Sequence, residues 1–122
     1  MSKKKPTATD DTSKTYGEED APPRSAYSSE EAKRRIVLTL RDGEIVYSEH
    51  VKRDILSGRH GATFQDILHV LQHGEIVREP EWDDTHRKWK YKVEGADLED
   101  EELRVITIII DEQFRLFIVT AY

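Results

Sequence analysis

The chain has 122 residues, 36% of them apolar and another 36% charged, with a net charge of −6 and no cysteine. This length fits one domain with an appendage, and the lack of cysteine excludes both a disulfide framework and a thiolate metal site. No apolar run approaches the ~18 residues of a membrane span, and an acidic balance argues against a protein that simply coats phosphate backbones.

Residues 1–27 are mostly Lys, Thr, Ser, Asp, Glu and Pro. Such a segment buries too little surface to offset its ordering entropy, so it is expected to be a disordered tail, with residues 28–122 as the single folded domain. No hydrophobic stretch follows Lys3-Lys4-Lys5, so no secretory signal is expected, and the expected location is the cytoplasm. The three lysines read first as solvated charge, and second as a contact for RNA or an acidic partner. From Ile36 onward, 11 Lys and Arg face 18 Asp and Glu, so any phosphate-binding site has to be a local patch in an acidic frame.

Ser28 and Glu31 stand at capping-box spacing and open a helix. Ala32, Ile36 and Leu40 give it an apolar face, and Gly43 is expected to end it in a left-handed conformation. The rival pattern is a hairpin turning at Asp42-Gly43. A short strand covers Ile45 to Tyr47. Ser48 then caps a helix that ends at Gly58, and Thr63, with Asp66 in the box position, caps a third whose stripe is Phe64, Ile67, Leu68 and Leu71. Gly74 stops that helix, and EIVRE reads as a strand broken by Pro80. In RKWKYKVEG, Trp89, Tyr91 and Val93 alternate with Lys88, Lys90 and Lys92. LRVITIIID and FRLFIVTAY follow an acidic turn. Their apolar runs place them at the centre of the sheet, with the last residues built into it. The expected class is α+β: two to three N-terminal helices packed on a small antiparallel sheet of four to five strands.

Several residues could carry chemistry. His50 heads the second helix with Arg53 a turn away, a general acid or base beside a phosphate ligand; the plainer reading is a capping or packing residue. His69 and His73 are at i, i+4, but no third metal ligand is evident, so they read as a solvent-facing pair and no metal or other cofactor is expected. Lys88, Lys90 and Lys92, spaced about 6.6 Å apart along a strand, can follow a phosphate backbone. Arg104 in the adjoining strand can join them and stabilise a developing phosphorane charge. The bland alternative is a solvated face paired with glutamates. Thr120 and Tyr122 share a face, where a tyrosine can stack on a base or donate a proton. His60 and His86 read as loop residues without a role. No P-loop, dinucleotide fingerprint, nucleophile elbow or paired-carboxylate signature is present.

The stretch IVYSEHVKRDILSGRHGATFQDILHVLQHGEIV, with WKYKVEG, LRVITIII and FIVTAY, resembles a bacterial family of domains of unknown function grouped with the RelE-like toxins (RelE, MqsR and BrnT) in the barnase–EndoU–colicin–RelE fold. RHGATFQDILHVL is also similar to the KHGVSFEEA stretch of BrnT. The resemblance spans about residues 30–122. It implies a helix layer on a small antiparallel sheet, metal-independent RNA cleavage through the RNA's own 2′-hydroxyl, and inhibition by an antitoxin protein. It places the family's helix-start histidine on His50, its arginine before glycine on Arg59, its strand arginine on Arg104, and its terminal pair on Thr120 and Tyr122. Here His60 separates Arg59 from Gly61, and Ala62 stands where an aliphatic residue is usual.

The expectation is therefore an endoribonuclease of RelE or MqsR type, a toxin of a toxin–antitoxin pair, with His50, Arg104 and Tyr122 catalytic and with Arg53, Arg59, Lys88, Lys90, Lys92 and Thr120 on the RNA. The alternatives are a non-catalytic module that holds a protein partner on the same face, and a structural domain that dimerises through its terminal hairpin.

Overall fold

The computed structural model describes residues 25–58 and 62–122, so the expected tail up to residue 24, Arg59 and His60 lie outside the described residues. Helix α1 runs Ser29–Asp42, and the Ser28 hydroxyl accepts a hydrogen bond from the Glu31 N–H at 3.1 Å. The reciprocal half of the expected box is replaced. Glu31 turns outward instead, and the Arg34 guanidinium, joined by Arg35, holds its carboxyl at about 2. Ala32, Ile36 and Thr39 form the buried stripe, which rules out the rival hairpin. Gly43 does end the helix, but in an extended conformation (φ −107°) rather than the left-handed one expected. Glycine is required there because a Cβ would meet the Phe114 carbonyl oxygen at 2.5 Å.

Strand β1 (Glu44–Tyr47) leads through the Ser48 cap into α2 (Glu49–Ser57), which Gly58 closes at φ 70°, a left-handed position that favours glycine. Helix α3 (Phe64–His73) carries the full capping box predicted from Thr63 and Asp66. The expected strand EIVRE is reduced to a single bridge, Glu75 with Glu94. Pro80 lacks an N–H to continue a ladder, and pairing resumes past it as β2 (Glu81–Asp83), which the alternation pattern was too short to reveal. Strands β3 (Lys88–Ala96), β4 (Glu102–Ile110) and β5 (Arg115–Ala121) complete the chain, with a 3-10 turn at Asp111–Gln113 between the last two.

The fold is α+β, and the described residues form three helices and one five-stranded sheet in the order β1-β5-β4-β3-β2. β4 is central and β5 stands beside it, as their apolar runs imply. The sheet is mixed rather than wholly antiparallel. β2 to β5 form a meander of antiparallel neighbours, but β1 joins β5 in parallel because two helices intervene before the chain returns. The helices bury Ile36, Val51, Ile67, Val70 and Leu71 against Tyr91, Val93, Val105, Leu116 and Ile118. Ile108 is just as buried but stands outside that cluster, since its strand position turns it to the opposite face. Among the described residues, no helix is long and apolar enough to cross a membrane.

Candidate functional site

The face of the sheet away from the helices is organised in rows by strand register. One row reads Glu81, Lys90, Ile108, Phe117, Val46. The next reads Lys92, Ile106, Thr120. A third reads Glu94, Arg104, Tyr122, where Arg104 and Tyr122 exchange backbone hydrogen bonds of 2.8 and 2.9 Å. Lys88, paired with Asp83, continues the comb at the start of β3.

A β-bulge decides the last two rows. Thr107 pairs with Ile118, but Ile106 pairs with Thr120, so Val119 is an extra residue in β5. Strict alternation from the buried Ile118 would turn Thr120 and Tyr122 toward the helices. The extra residue reverses that and sends Ala121 inward and Tyr122 onto the open face.

The Lys92 ammonium lies 5.5 Å and the Arg104 guanidinium 5.6 Å from the centroid of the Tyr122 ring. At half-exposed sites such contacts contribute about 0.5–1 kcal/mol each, enough to orient the ring and the cations together. Carboxylates neutralise part of the comb: Lys88 pairs with Glu112 at 3.0 Å, Arg104 with Glu102 at 3.2 Å, and Arg78 with Glu94 at 2.8 Å. Surface pairs of this kind are worth roughly 0–1 kcal/mol, so a phosphate displaces them at little cost. Among the described residues, Lys90 and Lys92 are held in no such pair.

The structure adds a residue read from the sequence as a loop position without a role. His86, in the β2–β3 turn, lies with its ring 5.1 Å from that of Phe117, on the open face. Asp83 braces it: its carboxylate accepts the His86 N–H at 2.9 Å and stands 3.3 Å from Nδ1. Burial raises the Asp83 carboxyl, but the hydrogen bond from the His86 backbone and the His86 ring outweigh it and leave it below its ordinary value. The turn residues Asp83-Asp84-Thr85 between Trp82 and Trp89 were the available hairpin signal; that the turn folds toward Phe117 is not a local property.

Lys88, Lys90, Lys92, Arg104, Thr120 and Tyr122 thus share one face. His50 is not part of that group in its contacts. It projects from α2, largely exposed, with Nε2 3.2 Å from the Asp54 carboxylate. Arg53 is exposed on the same helix, whose buried side packs Val51 into the core. Arg59 lies outside the described residues. The rings of His69 and His73 are 4.6 Å apart, and among the described residues no three His, Asp or Glu side chains gather as a metal site.

Chemically, the open face offers fixed cations around a phenol, with an Asp-braced imidazole at the far end of the Lys90 row. Fixed cations bind a polyanion, and a phenol and an imidazole exchange protons.

Residues 47–122 match the family model DUF4258, described as a domain of unknown function, which covers α2, α3 and strands β2 to β5. No curated protein and no solved structure matches the chain.

Proposed function

The chain belongs to the DUF4258 family, and we propose that it is a RelE-like endoribonuclease that binds single-stranded RNA across its open sheet face. The observation that carries this reading is the gathering of Lys92 and Arg104 around Tyr122, with Lys90 one row beyond Lys92 on the same face. Lys88, Lys90 and Lys92 run along the phosphates. Arg104 holds the reacting phosphate with its planar fork of donors and offsets the charge that develops on it. The RNA's 2′-oxygen attacks the adjacent phosphorus, the bond to the 5′-oxygen breaks, and a 2′,3′-cyclic phosphate remains. Tyr122 gives its proton to the departing 5′-oxygen, and a histidine takes the proton of the 2′-hydroxyl. His86, braced by Asp83 on the same face, is one candidate, and His50, paired with Asp54 on α2, is the other. A toxin of this type acts in a cell that also makes a protein to cover the face, an antitoxin.

The test is cleavage of a defined single-stranded RNA by the purified full-length chain with a chelator present. Arg104→Ala and Tyr122→Phe are each expected to lower the rate by about 10²–10³-fold, the usual loss on removing one stabilising group. Separate His86→Ala and His50→Ala variants identify the base. Cleavage that survives Arg104→Ala would sink the assignment. A second reading, a non-catalytic module that holds a protein partner on this face, draws on its apolar centre, the partly buried Ile106, Ile110 and Phe117. Stable binding of RNA without cleavage, or no RNA binding at all, supports that reading.

A further inference from the structure

The two tryptophans of the chain, Trp82 and Trp89, pair across β2 and β3 on the helix side of the sheet, edge to face with centroids 5.5 Å apart. With Tyr27 and Tyr91 they line a shallow cleft of about 110 Å³ that opens to solvent where β3 begins and β4 ends, and Arg87 and Lys88 stand among its walls. We infer that this cleft is a nucleobase subsite, which takes the base of a nucleotide whose neighbours lie along the lysine comb; the inference rests on the RNA-directed reading above.

Three features point to a flat, uncharged ring with a phosphate beside it. First, the polar atoms of the Tyr27, Tyr91 and Trp82 side chains are engaged with the protein. The Tyr27 hydroxyl donates to Asp111, the Tyr91 hydroxyl accepts the Tyr27 N–H at 2.8 Å, and Trp82 Nε1 donates to Asp84 at 2.9 Å. What the cleft offers is therefore ring surface, and base-on-ring stacking tolerates any base because every base has a π-face. Second, the walls are braced before a ligand arrives. Arg35 lies 4.3 Å from the Tyr27 centroid and is tied to Asp111 at 2.9 Å and to Glu31 at 2.7 Å. A wall already ordered costs less entropy on binding. Third, the charges disfavour a cationic guest. Asp111 is matched by Arg35 and Glu112 by Lys88, while the Arg87 guanidinium lies 5.7 Å from the Trp82 ring. The cleft is thus no acidic cage, and its cations suit a phosphate. Lys88 links the two regions, since it lines the cleft and begins the strand whose Lys90 and Lys92 lie on the open face.

Because both tryptophans line the cleft, indole fluorescence of the full chain reports on it alone. The measurement is a titration with each of the four ribonucleoside 5′-monophosphates beside ribose 5-phosphate. The expected result is saturable quenching by the nucleotides and none by the sugar phosphate. Trp82→Leu should weaken nucleotide binding about tenfold or more by equilibrium dialysis, the loss typical of one stacking ring. Absence of quenching, or equal quenching by ribose 5-phosphate, overturns the subsite. The two readings fail separately. RNA cleavage without nucleotide quenching removes the cleft and leaves the enzyme. Quenching that persists in Arg104→Ala, in a protein that cleaves nothing, keeps the cleft and removes the enzyme.

Discussion

At the scale of single residues, Asp66 shows how much one side chain can organise. Its carboxylate accepts hydrogen bonds from the Thr63 N–H at 2.8 Å and the Leu98 N–H at 3.0 Å, and so ties the start of α3 to the turn between β3 and β4. The capping box is written in the sequence at Thr63 and Asp66; the bond to Leu98, 32 residues on, is not. Burial pushes the carboxyl up, but the N–H groups of Leu98 and Thr63 outweigh it and hold it below its ordinary value. The folded-state value is thus the lower one. Its contribution to stability is complete above the ordinary carboxylate range and is lost as pH falls through the folded value. Asp66→Ala should cost about 1–3 kcal/mol in urea unfolding at neutral pH, because buried donors lose their acceptor. The same variant should flatten the acid side of the stability profile. An unchanged profile would assign the acid sensitivity to other carboxylates.

At the scale of elements, two helix ends use glycine for different reasons, and a substitution separates them. Gly58 has φ 70° and nothing within 4 Å of a built Cβ. Gly74 is extended, but a Cβ there would meet the Glu94 carbonyl oxygen at 2.6 Å and the Val70 carbonyl oxygen at 2.7 Å. Gly95 faces it across the contact, its own Cβ position 3.0 Å from Gly74 Cα. Gly58→Ala should cost about 1 kcal/mol, the penalty of a left-handed alanine. Gly74→Ala should cost more, about 1–3 kcal/mol, since backbone must move to admit the methyl group. Thermal unfolding of both variants checks the order, and equal losses would contradict it. The bulge at Val119 is the other decision made by an element. Thr120 and Tyr122 share a face by simple alternation, but which face they share depends on one unpaired residue that pattern alone does not reveal.

For the whole molecule, the net charge of −6 and the proposed phosphate-binding face are compatible because, among the described residues, Lys90 and Lys92 stand outside the surface salt bridges. The cations Lys88, Lys90, Lys92 and Arg104 line one face, and several of the carboxylates nearest them are already matched in surface pairs. On the proposed function, RNA binding at this face weakens with salt, at a slope near −0.7 per phosphate neutralised on a single strand. Lys92→Ala should therefore weaken RNA binding and reduce the magnitude of that slope by about 0.7, while an exposed lysine away from the face, Lys52, should leave both unchanged on substitution. Binding titrations at several salt concentrations test this, and equal effects from the two sites would mean that no local patch exists.

By itself the sequence determined what depends on neighbours along the chain. It specified three capped helices, the alternation of Tyr91 and Val93 with the lysines, the central place of the last two strands, and the composition that sets residues 1–27 apart. These follow from local hydrogen bonding and from apolar periodicity, which are short-range. The tertiary structure alone decided the parallel docking of β1 on β5, the reduction of EIVRE to one bridge, the bulge that aims Tyr122, the placing of His86 on Phe117, and the cleft where Tyr27 meets Trp82 and Trp89. Each of these depends on contacts between residues far apart in the chain, and register and long-range packing are settled by which surfaces can be buried together.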